Sequence, residues 1–261
     1  MPHIKANNIK IYYEFEGNGE PLVIIGGFAS DSRLWKDFAK PLQKHFKVLY
    51  FDHRGFGDSD IPPPPYSVEM MTKDTVELMN QLNIDSAHVF GHSMGSAILQ
   101  TMCLKNPEKI KKAILSGTFL KIPYTSQMLF ETVPKLFEKK LDQDIISQII
   151  MPWMYSSSFL KNPNNFNKVL ESMSKRTIDP KGYEGQSMAL KNFDSTTWIS
   201  KIKTEILILA GKEDIDTPLY CTQAVHEKLK NAKLKIIDDA AHMMYREHPN
   251  KTYEIMLDFF K

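Results

Sequence analysis

Gly91-His92-Ser93-Met94-Gly95 follows a short apolar run, Ala87-His88-Val89-Phe90. A serine set this way is a candidate nucleophile. G-x-S-x-G at a strand-to-helix junction makes a sharp turn that projects the hydroxyl off the end of a sheet. A backbone squeezed between strand and helix leaves no room for a β-carbon on either side of that turn, hence the two glycines. The run Ser96 to Leu104 is apolar at helical spacing and ends at Asn106-Pro107. The same pattern also suits an ordinary strand-to-helix turn whose serine only caps the helix.

A serine hydroxyl needs a base within hydrogen-bond reach and a group that orients the base. Glu205 to Ala210 reads as a buried strand, followed by Gly211-Lys212-Glu213-Asp214-Ile215-Asp216-Thr217-Pro218. An acid at the carboxyl end of a parallel strand points into the crevice where ligands bind, and Asp214 is the first choice. Glu213 and Asp216 compete for the role, and Asp216 alternatively caps the helix that starts at Thr217-Pro218. Lys233 to Ile237 is the next strand, and the loop after it carries His242. A histidine there can take the Ser93 proton and return it to the leaving group, with the acid holding its tautomer. An acyl-transfer site also needs an oxyanion site. Met94 N–H starts the helix after the serine, and Gly26-Gly27-Phe28 offers a second donor, the Phe28 N–H, after the strand Leu22 to Ile25. A plain glycine turn is the other reading of that loop.

The elements that must position these residues alternate along the chain. Strands are expected at Ile9–Phe15, 22–25, 47–51, 87–90, 112–116, 205–210 and 233–237. Helices are expected at Asp31–Gln43, Val68–Leu82, 96–104, Thr217–Leu229 and Tyr245–Phe260. Between Lys121 and Trp198 no buried-strand run stands out, and helix-like patterns break at Pro134, Pro152, Pro163 and Pro180. Strands alternating with helices on both sides of an insertion imply a parallel α/β sheet. The division expected is a core of residues 1–120 and 199–261 with a helical cap, 121–198, inserted in it. Pro62 to Pro65 reads as a stiff loop inside the domain.

The order serine, acid, histidine is that of the α/β-hydrolases. The chain resembles that superfamily, in particular its small, single-cap bacterial esterase-like branch. The likeness runs from the Gly26-Gly27-Phe28 loop to the final helix. It includes Asp52-His53-Arg54-Gly55-Phe56-Gly57-Asp58-Ser59, similar to the family's D-x-R-G-x-G-x-S loop, and His242 with Glu247 and Pro249. The resemblance implies a mostly parallel central sheet with helices on both faces, an inserted cap, and a Ser93-Asp214-His242 triad needing no cofactor and no metal. One departure stands out: the family often has His-Gly at the oxyanion loop, where this chain has Gly26-Gly27. Asp52 and Arg54 are expected to be structural, through an Arg–carboxylate pair that braces their loop.

The cap should line the pocket. Met128, Phe130, Phe137, Trp153, Met154, Tyr155, Phe159 and Met188 are the candidates, with Phe28 opposite, although most aromatic and Met residues at helical spacing pack in a core. Met128, Trp153, Met154, Met188 and Phe28 are singled out as substrate contacts. Such a lining suits an acyl or aryl group of moderate size. Lys135, Lys139 and Lys140 could meet an acidic carrier, but interspersed Glu131, Glu138, Asp142 and Asp144 favour a solvated face.

The expected activity is cleavage of a small-molecule carboxylic ester through an acyl-enzyme. The same triad also serves lactones, thioesters, C–C bonds or perhydrolysis, and a hydrolase-fold ligand receptor is the reading from another class. Composition agrees with an ordinary soluble enzyme. The 261 residues carry 33 Lys plus Arg against 31 Asp plus Glu, a net charge of +2 in a well-mixed sequence. Nothing in that balance calls for nucleic acid or a membrane surface. Cys103 and Cys221 cannot build a disulfide framework, no signal-like apolar stretch opens the chain, and a cytoplasmic monomer or homodimer is expected.

Overall fold

The computed structural model describes residues 2–261. Its centre is an eight-stranded sheet in the order β1-β2-β4-β3-β5-β6-β7-β8. β1 (His3–Ala6) and β2 (Ile9–Gly17) form an antiparallel hairpin, and β2 pairs antiparallel with β4. Asn7 and Asn8 both take positive φ in the hairpin turn, a conformation asparagine tolerates. β3 (Glu20–Ile25), α1 (Ser32–Leu42), β4 (Phe46–Phe51), α2 (Val68–Gln81), β5 (Ala87–His92), α3 (Met94–Lys105) and β6 (Ile110–Ser116) follow in chain order. From β4 to β8 every strand pairing is parallel.

The helices between β6 and β7 are α4 (Tyr124–Glu138), α5 (Gln143–Met154), α6 (Ser157–Leu160), α7 (Pro163–Ser174) and α8 (Pro180–Lys191). The chain then returns to the sheet as β7 (Ile206–Gly211), α9 (Leu219–Lys228), β8 (Ala232–Ile237), α10 (Met244–Glu247) and α11 (Pro249–Phe260).

Strand geometry explains the two-sided core. Successive side chains of a strand point to opposite faces, so a strand buried on both faces is apolar throughout. In β3, Val23 and Ile25 join one cluster with Met79 of α2, Leu99 of α3 and Val225 of α9. Leu22 and Ile24 join the other, with Trp35 of α1 and Met256 of α11. The carboxyl ends of the parallel strands therefore share one edge, where their loops meet.

Three sequence expectations are corrected. β1 pairs with β2 although its four residues carry no clear strand pattern; its Ile4 and Ala6 are held by pairing and packing. Pro134 and Pro152 do not break helices but sit inside α4 and α5. Each proline withholds one N–H from the preceding turn, and the helices persist because buried Phe130, Val133, Ile146 and Met151 pack them in place. Pro163 and Pro180 do begin helices, at the position where a missing N–H costs nothing. The final helix is two helices separated at His248, because a residue before proline is driven out of the α region.

Candidate active site

Ser93 sits between β5 and α3 with φ 55° and ψ −118°. That strained conformation, which side chains other than glycine rarely adopt, is held by Ser93 N–H donating to Ser116 O at 2.8 Å. The flanking glycines are required by contact. A β-carbon on Gly95 would lie 2.1 Å from the Ile25 carbonyl oxygen, and one on Gly91 would lie 2.5 Å from the Gly95 carbonyl oxygen. Ser93 occupies the helix-capping position, yet its side chain accepts no bond from the helix. The simple capping reading therefore fails, and the hydroxyl is left for other work.

Thr217 pairs with Asp214 rather than starting α9. Asp214 Oδ1 accepts from the N–H groups of Asp216 at 2.9 Å and Thr217 at 2.8 Å. Oδ2 accepts from Thr217 Oγ1 at 2.8 Å and lies 2.8 Å from His242 Nδ1. The helix begins only after Pro218, because Asp214 has folded the preceding residues into a turn around itself. Glu213 is exposed, which removes it from the competition.

His242 is buried, with its ring 4.7 Å from that of His92. Its loop is pinned by Glu247, whose Oε1 accepts from Ala241 N–H at 2.9 Å and whose Oε2 accepts from Ser156 N–H at 3.2 Å. Met243 N–H donates to Met154 O at 2.8 Å, a second tie to the end of α5.

Asp216 neither caps α9 nor holds the imidazole's Nδ1. Its Oδ2 lies 3.5 Å from His242 Nε2, the opposite nitrogen, and its buried Oδ1 has no partner among the described residues. Burial and then the charge of Asp214 push the Asp216 carboxyl up to about 6, against the pull of His242. Burial works against a charged His242, but Asp214 and then Asp216 outweigh it and lift the imidazole to about 9. The sequence offers Asp216 as a competitor for the acid or as a helix cap; its place beside Nε2 depends on which way the turn points.

The Gly26-Gly27-Phe28 loop passes close to the serine. A β-carbon on Gly27 would stand 3.2 Å from Ser93 Cβ. No described residue accepts from the N–H of Phe28 or Met94. The loop is held from three sides. Ser30 Oγ donates to Gly27 O at 2.8 Å, and His53 Nε2 lies 3.1 Å from Gly26 O. Gln186 of α8 accepts from Ala29 N–H at 2.9 Å and donates to Arg54 O at 2.9 Å. Gln186 was not anticipated, since a single glutamine on a helix carries no sequence signal. The expected arginine–carboxylate brace exists with a different acid: Arg54 Nε and Nη2 bind Asp74 of α2 at 2.6 and 2.7 Å. Asp52 instead accepts from the N–H groups of Ser32 and Asp58.

A cavity of about 140 Å³ joins these groups; its walls include Gly27, Phe28, His92, Ser93, Asp216 and His242. Its roof comes from α4, α5 and the α7–α8 connection, through Phe130, Ile146, Met154, Arg176 and Ile178. Of the expected contacts, Phe28, Phe130, Phe137, Met154 and Tyr155 line it. Met128, Trp153, Phe159 and Met188 do not. Met128 is 54% exposed on the far side of α4, where helical spacing turns it away from buried Phe130. Phe159 lines an outer groove instead. Among the described residues, no group of three or more His, Cys, Asp or Glu is arranged to hold a metal ion, and no helix is long and apolar enough to cross a membrane.

The comparisons with known proteins agree with this architecture. The poly(3-hydroxyalkanoate) depolymerase of Ectopseudomonas oleovorans is 28% identical, over 92% of this chain and 84% of its own. The solved structure of MGS-M2, an α/β hydrolase from a Medee basin deep-sea metagenome library, superposes with a TM-score of 0.90 at 23% identity, covering 99% of this chain and 97% of the other. A thermophilic esterase from Thermogutta terrifontis superposes with a TM-score of 0.87 at 21% identity, over 100% and 98% of the two chains. The family described as the alpha/beta hydrolase fold matches residues 20–249, and the chain belongs to it.

Proposed function

We propose that this protein is a serine hydrolase that cleaves a carboxylic ester through an acyl-enzyme. The observation that carries the reading is the uncapped Ser93 hydroxyl on its strained turn, facing a cavity shared with a histidine whose Nδ1 is held by Asp214. In this scheme Ser93 Oγ attacks the ester carbonyl carbon while His242 Nε2 takes the hydroxyl proton. The carbonyl oxygen becomes an oxyanion, which the free N–H groups of Phe28 and Met94 receive. When the intermediate collapses, the C–O bond to the alcohol breaks and Nε2 hands its proton to the departing oxygen. Water then repeats the sequence on the acyl-enzyme, releasing the acid and restoring Ser93.

Helices α4–α8 act as the cap over this site. A cavity of about 140 Å³ matches the space that holds one benzene-sized group, roughly 150 Å³ in an engineered apolar cavity. Acyl groups of about four to six carbons should therefore be preferred over long chains, by the same measure. The test is a series of 4-nitrophenyl esters from acetate to dodecanoate, run with the protein and with Ser93→Ala. The expected result is Ser93-dependent turnover peaking at short chains. A peak at dodecanoate would overturn the size reading, and turnover by Ser93→Ala would overturn the mechanism.

A further inference from the structure

Arg176, in the connection after α7, lines the wall of the same cavity. It also lines the outer groove, as do Leu34, Tyr155, Tyr245 and Arg246, so it stands at the boundary between the two. Its side chain is only 21% exposed. The guanidinium makes no hydrogen bond with any described residue. Its one ion-pair neighbour is Asp31, with Nε 4.0 Å from Oδ2. Asp31 is already engaged by Arg33, through Nε at 3.0 Å and Nη2 at 2.7 Å. Arg176 therefore keeps donors that no described residue takes, on a half-buried side chain that borders both the cavity and the groove. A guanidinium in a partly dehydrated wall, with donors left over from its single long ion pair, gains charge-assisted hydrogen bonds when an anion enters. The planar fork of donors matches a carboxylate.

We infer that Arg176 is an anion subsite, and that the substrate is an ester whose acyl part carries a carboxylate a few bonds from the reacting carbonyl; the word ester rests on the serine-hydrolase reading, the subsite does not. The reach is set by the cavity, about 140 Å³, which separates carbonyl and carboxylate by no more than about six heavy atoms on the benzene-sized scale. The acyl side follows from Asp216. His242 Nε2 delivers its proton to the departing alcohol, and Asp216 Oδ2 lies 3.5 Å from that nitrogen. A negative leaving group would be pressed against this carboxylate. Arg176 instead lies where the cavity meets the outer groove, beside Asp31 and in the wall shared with Tyr155 and Tyr245, and is assigned to the other part of the substrate.

The test compares the 4-nitrophenyl monoester of adipic acid with its methyl-capped counterpart at pH 8, with 4-nitrophenyl hexanoate as the neutral reference. The protein should favour the free carboxylate by at least tenfold in kcat/KM. Arg176→Met, which keeps most of the stem volume, should reduce that ratio at least tenfold. Arg176→Lys, retaining charge without the fork, should fall between. Equal handling of the two adipate esters by the unmodified protein overturns the inference without any variant, as does a preference that survives Arg176→Met. Calorimetry with monomethyl adipate supplies a readout independent of turnover: binding should weaken at least tenfold in Arg176→Met, and equal binding overturns the subsite. Absence of Ser93-dependent hexanoate turnover, beside Arg176-dependent binding of monomethyl adipate, would refute the hydrolase reading and uphold the subsite.

Discussion

Asp216→Asn should raise activity at neutral pH. Asp216 Oδ2 lies 3.5 Å from His242 Nε2, and both side chains are 3% exposed. Coulomb's law at this separation, with an effective dielectric constant of about 20, gives ~5 kcal/mol, equivalent to a pKa change of roughly 3.5. Asparagine keeps the shape and part of the dipole, so a fall of about 1–3 is expected. The sign follows from the direction of the perturbation. His242 is raised to about 9, so the imidazole is protonated, and unable to accept the Ser93 proton, until the pH climbs through that value. The groups facing it are Asp214 at Nδ1, Asp216 at Nε2 and His92 across the ring. With an imidazole pKa near 9, about 1% is neutral at pH 7; lowering the pKa by 1 makes that roughly 9%. The assay is kcat/KM for 4-nitrophenyl butyrate between pH 5 and 10. The acid limb should move down by 1 or more, with a gain of about tenfold or more at pH 7 that shrinks as the pH rises. An unmoved limb, or a loss of equal size at every pH, would refute the claim that Asp216 acts on the imidazole.

Other perturbations separate chemistry from architecture. Asp214→Asn should leave thermal stability nearly intact and lower kcat by about 10⁴, as expected when the acid that fixes the base's tautomer is lost; a loss under tenfold would show that Asp214 does not play that part. Asp74→Asn should destabilise the fold by about 3–5 kcal/mol in urea titration, because Arg54, with 7% side-chain exposure, loses its charged partner. A change below about 1 kcal/mol would show that the pair behaves as a surface ion pair.

The parts of the site fixed by strand ends were legible in the sequence. Ser93, Asp214 and His242 follow the apolar runs of β5, β7 and β8, and apolar runs are what single-chain reading detects best. The Gly26-Gly27-Phe28 loop was legible for the same reason, because it follows β3. The helical segment between β6 and β7 was legible only as an insertion. Its helices are apolar on more than one face, so periodicity could not say which face looks into the cavity; Met128 and Phe130, adjacent to the same turn of α4, ended on opposite sides. Pairings across distant segments left no local trace. Arg54 chose Asp74 over Asp52, and Gln186 joined α8 to the loop that follows β3. Asp216 and Arg176 are of the same kind, since the approach of one to His242 Nε2 and the place of the other in the cavity wall arise only in three-dimensional packing.

The central claim is that Ser93 is an activated nucleophile, and covalent labelling tests it most directly. A fluorophosphonate probe should react stoichiometrically, and peptide mapping should find the adduct on Ser93 alone, with Ser93→Ala unlabelled. An adduct on another residue, or a folded protein that takes up no label at pH 9, where His242 is increasingly neutral, would contradict it.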